Sequence, residues 1–224
     1  MNRIVALLLC LMLVFSLSAC MGEDALRGTI GTENSETETS ETEEIDLSFG
    51  AVEGNVYEND FIGIGCKLDD GWSFYSDEQI KELNNITADI AGEEYMDLME
   101  DANIIYDMYA IDSTQLNNIT INLEKVNPVQ LLALDIAKNF ELTVGTMKST
   151  YENMGYTNFN YEITEVTVDG KKMDAMNITA EANGYTIYQC LTAKKCNGYL
   201  ANIVVSTYIN NTTADLLDNF YWTR

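Results

Sequence analysis

Apolar and polar positions divide this chain into three stretches. The first is an uninterrupted apolar run from Ile4 to Phe15, opened by Arg3 and followed by small residues up to Cys20. It is too short to span a bilayer as a stable helix, which takes about 20 apolar residues. The second, Met21 to Ser48, is dominated by Glu, Thr, Ser and Gly, and Glu33 to Glu44 contains no apolar side chain. The third, residues 49–224, carries the periodic patterns of a folded domain.

Within that third stretch the plainest signal is a set of turns. Asp169-Gly170, Asn183-Gly184 and Asn197-Gly198 recur at 14-residue intervals, and such pairs accept the positive φ of tight hairpin turns. Between them Tyr185, Ile187 and Leu191 alternate with Thr186, Tyr188 and Thr192, and Ala201, Ile203 and Val205 alternate with Asn202, Val204 and Ser206. The pattern predicts a four-stranded antiparallel meander over residues 159–208. Before it, Asn127 as N-cap, Pro128 in the first turn and Gly155 past the end frame one long helix. Its apolar stripe is Val129, Leu132, Ile136, Phe140, Val144, Met147, Tyr151 and Met154, with Gly145 marking a weak point or bend. Ser76-Asp77-Glu78-Gln79 reads as a capping box for a short helix to about Leu83. Tyr95, Leu98, Met99 and Ala102 predict another helix, and Leu216, Leu217 and Phe220 a last one. Strands are expected near 61–68, 104–111 and 119–126. Blocks of helices and antiparallel strands without a βαβ rhythm give an α+β class.

The N-terminal stretch has the three parts of an export signal. Leu17-Ser18-Ala19-Cys20 resembles the bacterial lipobox, in which acyl chains are attached to the cysteine and the signal is cut just before it. The resemblance implies a signal over residues 1–19 and lipid attachment at Cys20. The expected location is the extracytoplasmic face of the cell membrane, held by the lipid. A plain cleaved signal with an incidental cysteine is the alternative. Residues 20–48 then form a disordered acidic tether, since nothing in them buries enough surface to offset chain entropy. Fully stretched, its 28 residues from Met21 reach about 90–100 Å.

Charge narrows the partners. The chain carries −24; the tether accounts for −8 and the signal for +1, which leaves −17 on residues 49–224. Nucleic-acid binding runs on Lys and Arg neutralising phosphate, so no nucleic-acid partner is expected. Expected partners are the membrane through the anchor, and an envelope protein or cell-wall polymer.

The chain has no histidine, which removes Ser-His-Asp and Cys-His triads, histidine bases and most zinc sites. It has no G-x-S-x-G, Walker or dinucleotide fingerprint, and no cofactor or metal is expected. Gly63 and Gly65 lie in a strand and mark a bulge or a close helix contact. Cys66, Cys190 and Cys196 are odd in number and match no disulfide or zinc spacing, so they read as buried or free thiols. A Cys190–Cys196 bridge would require the third turn to be misplaced.

Carboxylates and lysines remain. Glu93, Glu94, Asp97, Glu100 and Asp101 crowd one predicted helix; they suit a hard cation or paired-acid glycoside chemistry, and equally a solvated helix face. Asp69-Asp70-Gly71 lacks the further acids of a calcium loop and reads as a turn. The first and third turns of a meander share one end of the sheet, which gathers Lys171, Lys172, Lys194 and Lys195 there, four of the domain's nine lysines. That end is a candidate dock for an anionic partner, or charge placed to block edge-to-edge pairing. Tyr185, Tyr188, Tyr199, Tyr208, Tyr221 and Trp222 suit sugar stacking or burial between sheet and helix.

Tyr57 to Ile64 followed by Asp70-Gly71-Trp72-Ser73-Phe74 resembles the start of uncharacterised lipoproteins of low-GC Gram-positive bacteria, whose domains are similar to the Mog1/PsbP fold. Asp69-Asp70 stands where those proteins often have a proline. The resemblance implies an antiparallel sheet flanked by helices over residues 55–222, used for binding and assembly. Two functional classes follow: a non-catalytic binding or assembly module of the envelope, expected first, and a carboxylate-dependent hydrolase acting on envelope glycans. A transporter's solute-binding component is disfavoured, because about 176 residues do not make its two-lobed clamp.

Overall fold

The computed structural model describes residues 47–84 and 104–223. The signal, Cys20, the tether up to residue 46 and the Glu93–Asp101 carboxylates lie outside these.

The elements run β1 (Ala51–Glu53), β2 (Val56–Asn59), β3 (Ile64–Lys67), β4 (Trp72–Phe74), α1 (Asp77–Leu83), β5 (Ile104–Asp112), β6 (Asn118–Lys125), α2 (Pro128–Ala133), α3 (Ile136–Asn153), β7 (Thr157–Val168), β8 (Lys171–Ala182), β9 (Tyr185–Cys196), β10 (Tyr199–Tyr208), α4 (Thr213–Leu217) and β11 (Phe220–Tyr221). The fold is α+β. A seven-stranded antiparallel sheet has the order β4-β5-β6-β10-β9-β8-β7, and a four-stranded one the order β1-β2-β3-β11.

The meander is present as β7 to β10, and each of its turns has positive φ at both central residues. This backbone matches the right-handed twist of the flanking strands, which is why Asp-Gly and Asn-Gly occupy it. The large sheet is covered on both faces. One face packs on the small sheet through Ile105, Ile121, Ile203 and Val205 against Tyr57, Ile64, Cys66 and Phe220. The other meets α2 and α3 through Met176, Ile178, Ile187 and Leu191 against Leu131, Phe140, Met147 and Tyr151. Burial on both sides explains why β10 is buried from Tyr199 to Thr207, on both of its alternating faces.

Three sequence expectations change. The predicted long helix is two. α2 ends at Ala133, Leu134 is extended, and Asp135 caps α3 by accepting from the Lys138 N–H at 3.0 Å. An aspartate satisfies free N–H groups at a helix start better than it serves a helix interior, and the chain breaks there, not at Gly145. The break turns the front of the predicted stripe outward: Leu131 is the buried residue of α2, while Val129 and Leu132 are 76% and 86% exposed. Phe220 is in β11 and not in the last helix, where it pairs with Cys66. Packing also begins before residue 49, since Leu47 belongs to the core between the two sheets.

Gly63 and Gly65 differ in role. Gly63 sits in the turn before β3 at φ +62°, and a Cβ there would fall 2.8 Å from the Lys194 amine. Gly65 lies under Tyr221, and a Cβ would stand 2.3 Å from that ring. The close contact is with an aromatic side chain of β11, not with a helix.

Candidate functional site

The register of the meander brings the 169–170 and 197–198 turns to one end of the large sheet, together with the last residue of β6 and the first of β5. This can be called the lower end. All four predicted lysines are there, but alternation along the strands divides them between faces.

Lys171 and Lys194 face the small sheet. Their amines lie 4.5 Å and 4.9 Å from the centroid of the Trp222 ring. The indole is fixed by its own donors, Nε1 to the Val168 carbonyl at 3.0 Å and the backbone N–H to Asp169 Oδ2 at 3.1 Å. Lys194 also donates to the Ile62 carbonyl and, at 3.1 Å, to that of Gly63. Burial lowers its pKa, and Lys171 nearby lowers it further against the opposing pull of Cys196. Lys194 is thus largely a clamp between β9 and the 60–63 turn.

Lys172 and Lys195 face the helices. Lys172 pairs with Glu165 at 2.8 Å, an exposed contact whose hydrogen bond raises the lysine pKa. Lys195 donates to the carbonyl of Leu134, the residue that closes α2. The start of α2 is held at the same end, because the Val126 N–H donates to the Gly198 carbonyl at 2.9 Å and Asn127 Oδ1 accepts from the Val129 N–H at 3.0 Å. The exposed Val129 and Leu132 therefore stand beside the third turn.

The chain also enters the domain here. The Ser48 carbonyl accepts from Asn59 Nδ2 at 3.1 Å. Asn59 opens the 60–63 turn, whose carbonyls take Asn197 Nδ2 at Phe61 (2.8 Å) and Lys194 at Ile62 and Gly63.

Nearby is a buried carboxylate that the sequence reading passed over. Asp107 occupies a bulge in β5, where the register shifts between Tyr106 and Met108. The shift turns its carboxylate toward the small sheet, where Tyr57 Oη, Asn59 Nδ2 (2.6 Å) and the Gly50 N–H (2.9 Å) all donate to it. Burial pushes its pKa up, against the opposing effect of the three donors. A lone acid inside the apolar run Ile104–Ile111 was the available signal. A second buried polar chain runs from Tyr151 Oη to Gln189 and from Gln189 Nε2 to Ser206 Oγ at 2.7 Å.

The other sequence candidates have local roles. Asp69 Oδ1 accepts from the Gly71 N–H at 2.8 Å and forms a turn. An open cleft of about 560 Å³ is lined by Val52, Trp72, Phe74, Tyr75, Asp77 and Glu78, among others. Hydrogen bonds from its own backbone and from Ser76 lower the Glu78 pKa, which is the wrong direction for a proton donor in glycoside chemistry. The aromatic residues are dispersed: Tyr199 is buried edge-on to Phe61, Tyr208 shares a hydrogen bond with Tyr156 at 2.8 Å, and Tyr185 is exposed. Cys66 and Cys190 are buried and Cys196 half-buried, and all three are free. Cys190 and Cys196 lie six residues apart along β9, about 20 Å, which rules out a bridge. Among the described residues no cluster of three metal-ligating side chains is present, and no helix is long and apolar enough to cross a membrane.

No protein-family model matches the chain, and no curated protein matches it either. Among solved structures the fold is distantly similar to LpqN, described as involved in cell envelope biogenesis of Mycobacterium tuberculosis. That likeness covers 72% of this chain and 83% of the other, with 13% identity and a TM-score of 0.40. Likeness at this level does not carry function from one chain to another.

Proposed function

We propose that this chain is a lipid-anchored, extracytoplasmic binding or assembly module of the cell envelope, with no catalytic activity of its own. The observation that carries the reading is Leu17-Ser18-Ala19-Cys20, placed directly behind a charged and apolar leader and ahead of a long acidic stretch. A thiol there with small neighbours is what acylation and cleavage need. Two or three acyl chains hold a protein to a bilayer durably, each buried methylene contributing about 0.8 kcal/mol.

The absence of histidine from the whole chain supports a non-catalytic role, as does the structural use of Asp107, Asp69 and Glu78. The resemblance of the Tyr57–Phe74 region to Mog1/PsbP-type lipoprotein domains, scaffolds for binding and assembly, points the same way. Cross-linking of intact cells, followed by purification of the native lipoprotein and of its Cys20→Ala form, tests the reading. A discrete partner captured by the first and lost from the second is the expected result. Equal recovery of both forms in the soluble fraction would refute the anchor.

A further inference from the structure

The two sheets part along one flank of the domain. β1 ends the small sheet and β4 ends the large one, each three residues long, and the open cleft of about 560 Å³ lies between them. Register shows which backbone groups β4 leaves unpaired. The Ser113 N–H donates to the Gly71 carbonyl and the Tyr75 N–H to the Tyr109 carbonyl, both at 2.8 Å. Pairing alternates along an antiparallel ladder, so Gly71, Ser73 and Tyr75 turn toward β5, while Trp72 and Phe74 turn their N–H and carbonyl groups outward. The Trp72 N–H is taken by the Asp69 carbonyl at 3.1 Å, which leaves the Phe74 N–H and both carbonyls to the free edge.

Side chains complete the cleft. Val52 stands opposite Tyr57, which is buried between the sheets, so Val52 points inward as well; yet it is 43% exposed. Trp72 and Phe74 pack on the same core and are only half-buried. On the other face of the large sheet α1 packs through Ile80 on Tyr106 and Tyr109, and its first turn brings Asp77 and Glu78 to the cleft. No lysine or arginine joins these two in the lining. Glu78 accepts from the Ser76 hydroxyl at 2.8 Å, a neutral donor that leaves the charge in place. Residues 51–54 and 69–83 set Glu53, Asp69, Asp70, Asp77, Glu78 and Glu82 against one cation, Lys81, which acts on Glu78 from within α1. β4 pairs with the last three residues of β5, whose first lies at the lower end, so Lys171, Lys172, Lys194 and Lys195 are at the far end of the sheet.

We infer that an extended segment rich in lysine or arginine adds to the free edge of β4, with its apolar side chains on Val52, Trp72 and Phe74 and its cations toward Asp77 and Glu78. The inference rests on the binding-module reading above and gives that partner its chemistry. Strand addition supplies affinity through main-chain bonds and specificity through alternate side chains. A strand lying on β4 points its residues in turn to the small-sheet face and to the α1 face, which matches apolar and basic residues in alternation. Charge argues against the occupants nearer at hand. Residues 20–48 hold nine acids and Arg27, and residues 85–103 hold six acids and no base. A second copy brings −17, so none of these complements the cleft.

The test uses the native lipoprotein in detergent micelles and a synthetic peptide of about six residues alternating lysine and valine. Amide hydrogen exchange is read at Phe74. The side chain opposite Phe74 faces the small sheet, so a valine placed there exchanges both hydrogen bonds with it. One control peptide has glutamate in place of lysine, and another has its valine amides N-methylated. At nine-tenths occupancy the basic peptide is expected to slow exchange about tenfold, and the two controls not at all. V52K, which changes an exposed side chain, is expected to weaken binding about tenfold or more while thermal unfolding stays unchanged. No slowing, equal slowing by the glutamate peptide, or equal binding by V52K would overturn the inference. So would a Phe74 amide protected before any peptide is added, which would give the edge to a second copy if protection grows with protein concentration and to the chain itself if it does not. Cross-linking in intact cells separates the two readings. A partner captured equally by wild type and V52K overturns this site and leaves the binding module standing, and no partner at all overturns both.

Discussion

The phenol of Tyr57 donates to the carboxylate of Asp107, joining the small sheet to the bulge of the large one. Both groups are buried, and the Gly50 N–H and Asn59 amide complete the set of donors. The N-terminal end of the domain is thus held by a charge-assisted cluster in addition to apolar packing.

Asp107→Ala removes the acceptor of two buried donors and a half-buried one and should destabilise the domain by about 2–4 kcal/mol in urea unfolding at pH 7. The pH dependence has a defined sign. Burial raises the folded pKa above the unfolded value of about 3.9, so the folded state holds the proton more tightly. Its contribution is fully present below the unfolded value and is lost as pH rises through the folded one. Asp107→Asn should remove that decline, so the stability difference between wild type and D107N should change with pH above about 4. A constant difference from pH 3 to pH 8 would show that Asp107 titrates alike in both states.

The lysines of the lower end should separate in thermal unfolding. Lys194→Met orphans the carbonyls of Ile62 and Gly63 and should cost about 1–2 kcal/mol. Lys172→Met, which loses an exposed pair with Glu165, should stay within about 0.5 kcal/mol of wild type. Similar costs for both would contradict the clamp assigned to Lys194.

Gly65→Ala places a methyl group inside the Tyr221 ring position, so the ring and its 2.7 Å hydrogen bond to Glu58 must move. A loss of about 1–3 kcal/mol is expected, as for overpacked sites. Tyr221→Ala in the same chain should relieve part of it, and a double-mutant cycle measures how much.

Burial pushes the thiols of Cys66 and Cys190 up to about 12 and that of Cys196 up to about 11. The thiolate is the reactive form, so iodoacetamide at pH 8 should leave all three unmodified in the folded chain. Urea should expose them, with half-buried Cys196 labelled first. Mass spectrometry of a timed reaction reads the order.

The meander was legible because three Asp-Gly and Asn-Gly turns fix both register and direction, and direction in turn placed Lys171 and Lys195 at one end. The period of two also separates Lys171 from Lys172, a division that the reading of a single lysine patch overlooked. Of the small sheet only β3 was legible, inside the strand expected near 61–68. Its strands are two to four residues long, too short for a period, and β11 joins β3 across more than 150 residues. The outward turn of Val129 and Leu132 was hidden as well, since both fit the helical stripe until Asp135 breaks it. Asp107 depends on a bulge, which adds a residue without changing composition.

Mechanical load gives the arrangement around Leu47 a further meaning. A pull on the chain from its N-terminal side meets first a leucine packed in the core, then the Ser48 bond to Asn59 and the Gly50 bond to Asp107. Only after these does it reach β1, which is three residues long and paired on one side alone. This short edge strand is shielded by the cluster ahead of it, so a load applied from the N-terminal side would be borne by the core before β1 began to peel.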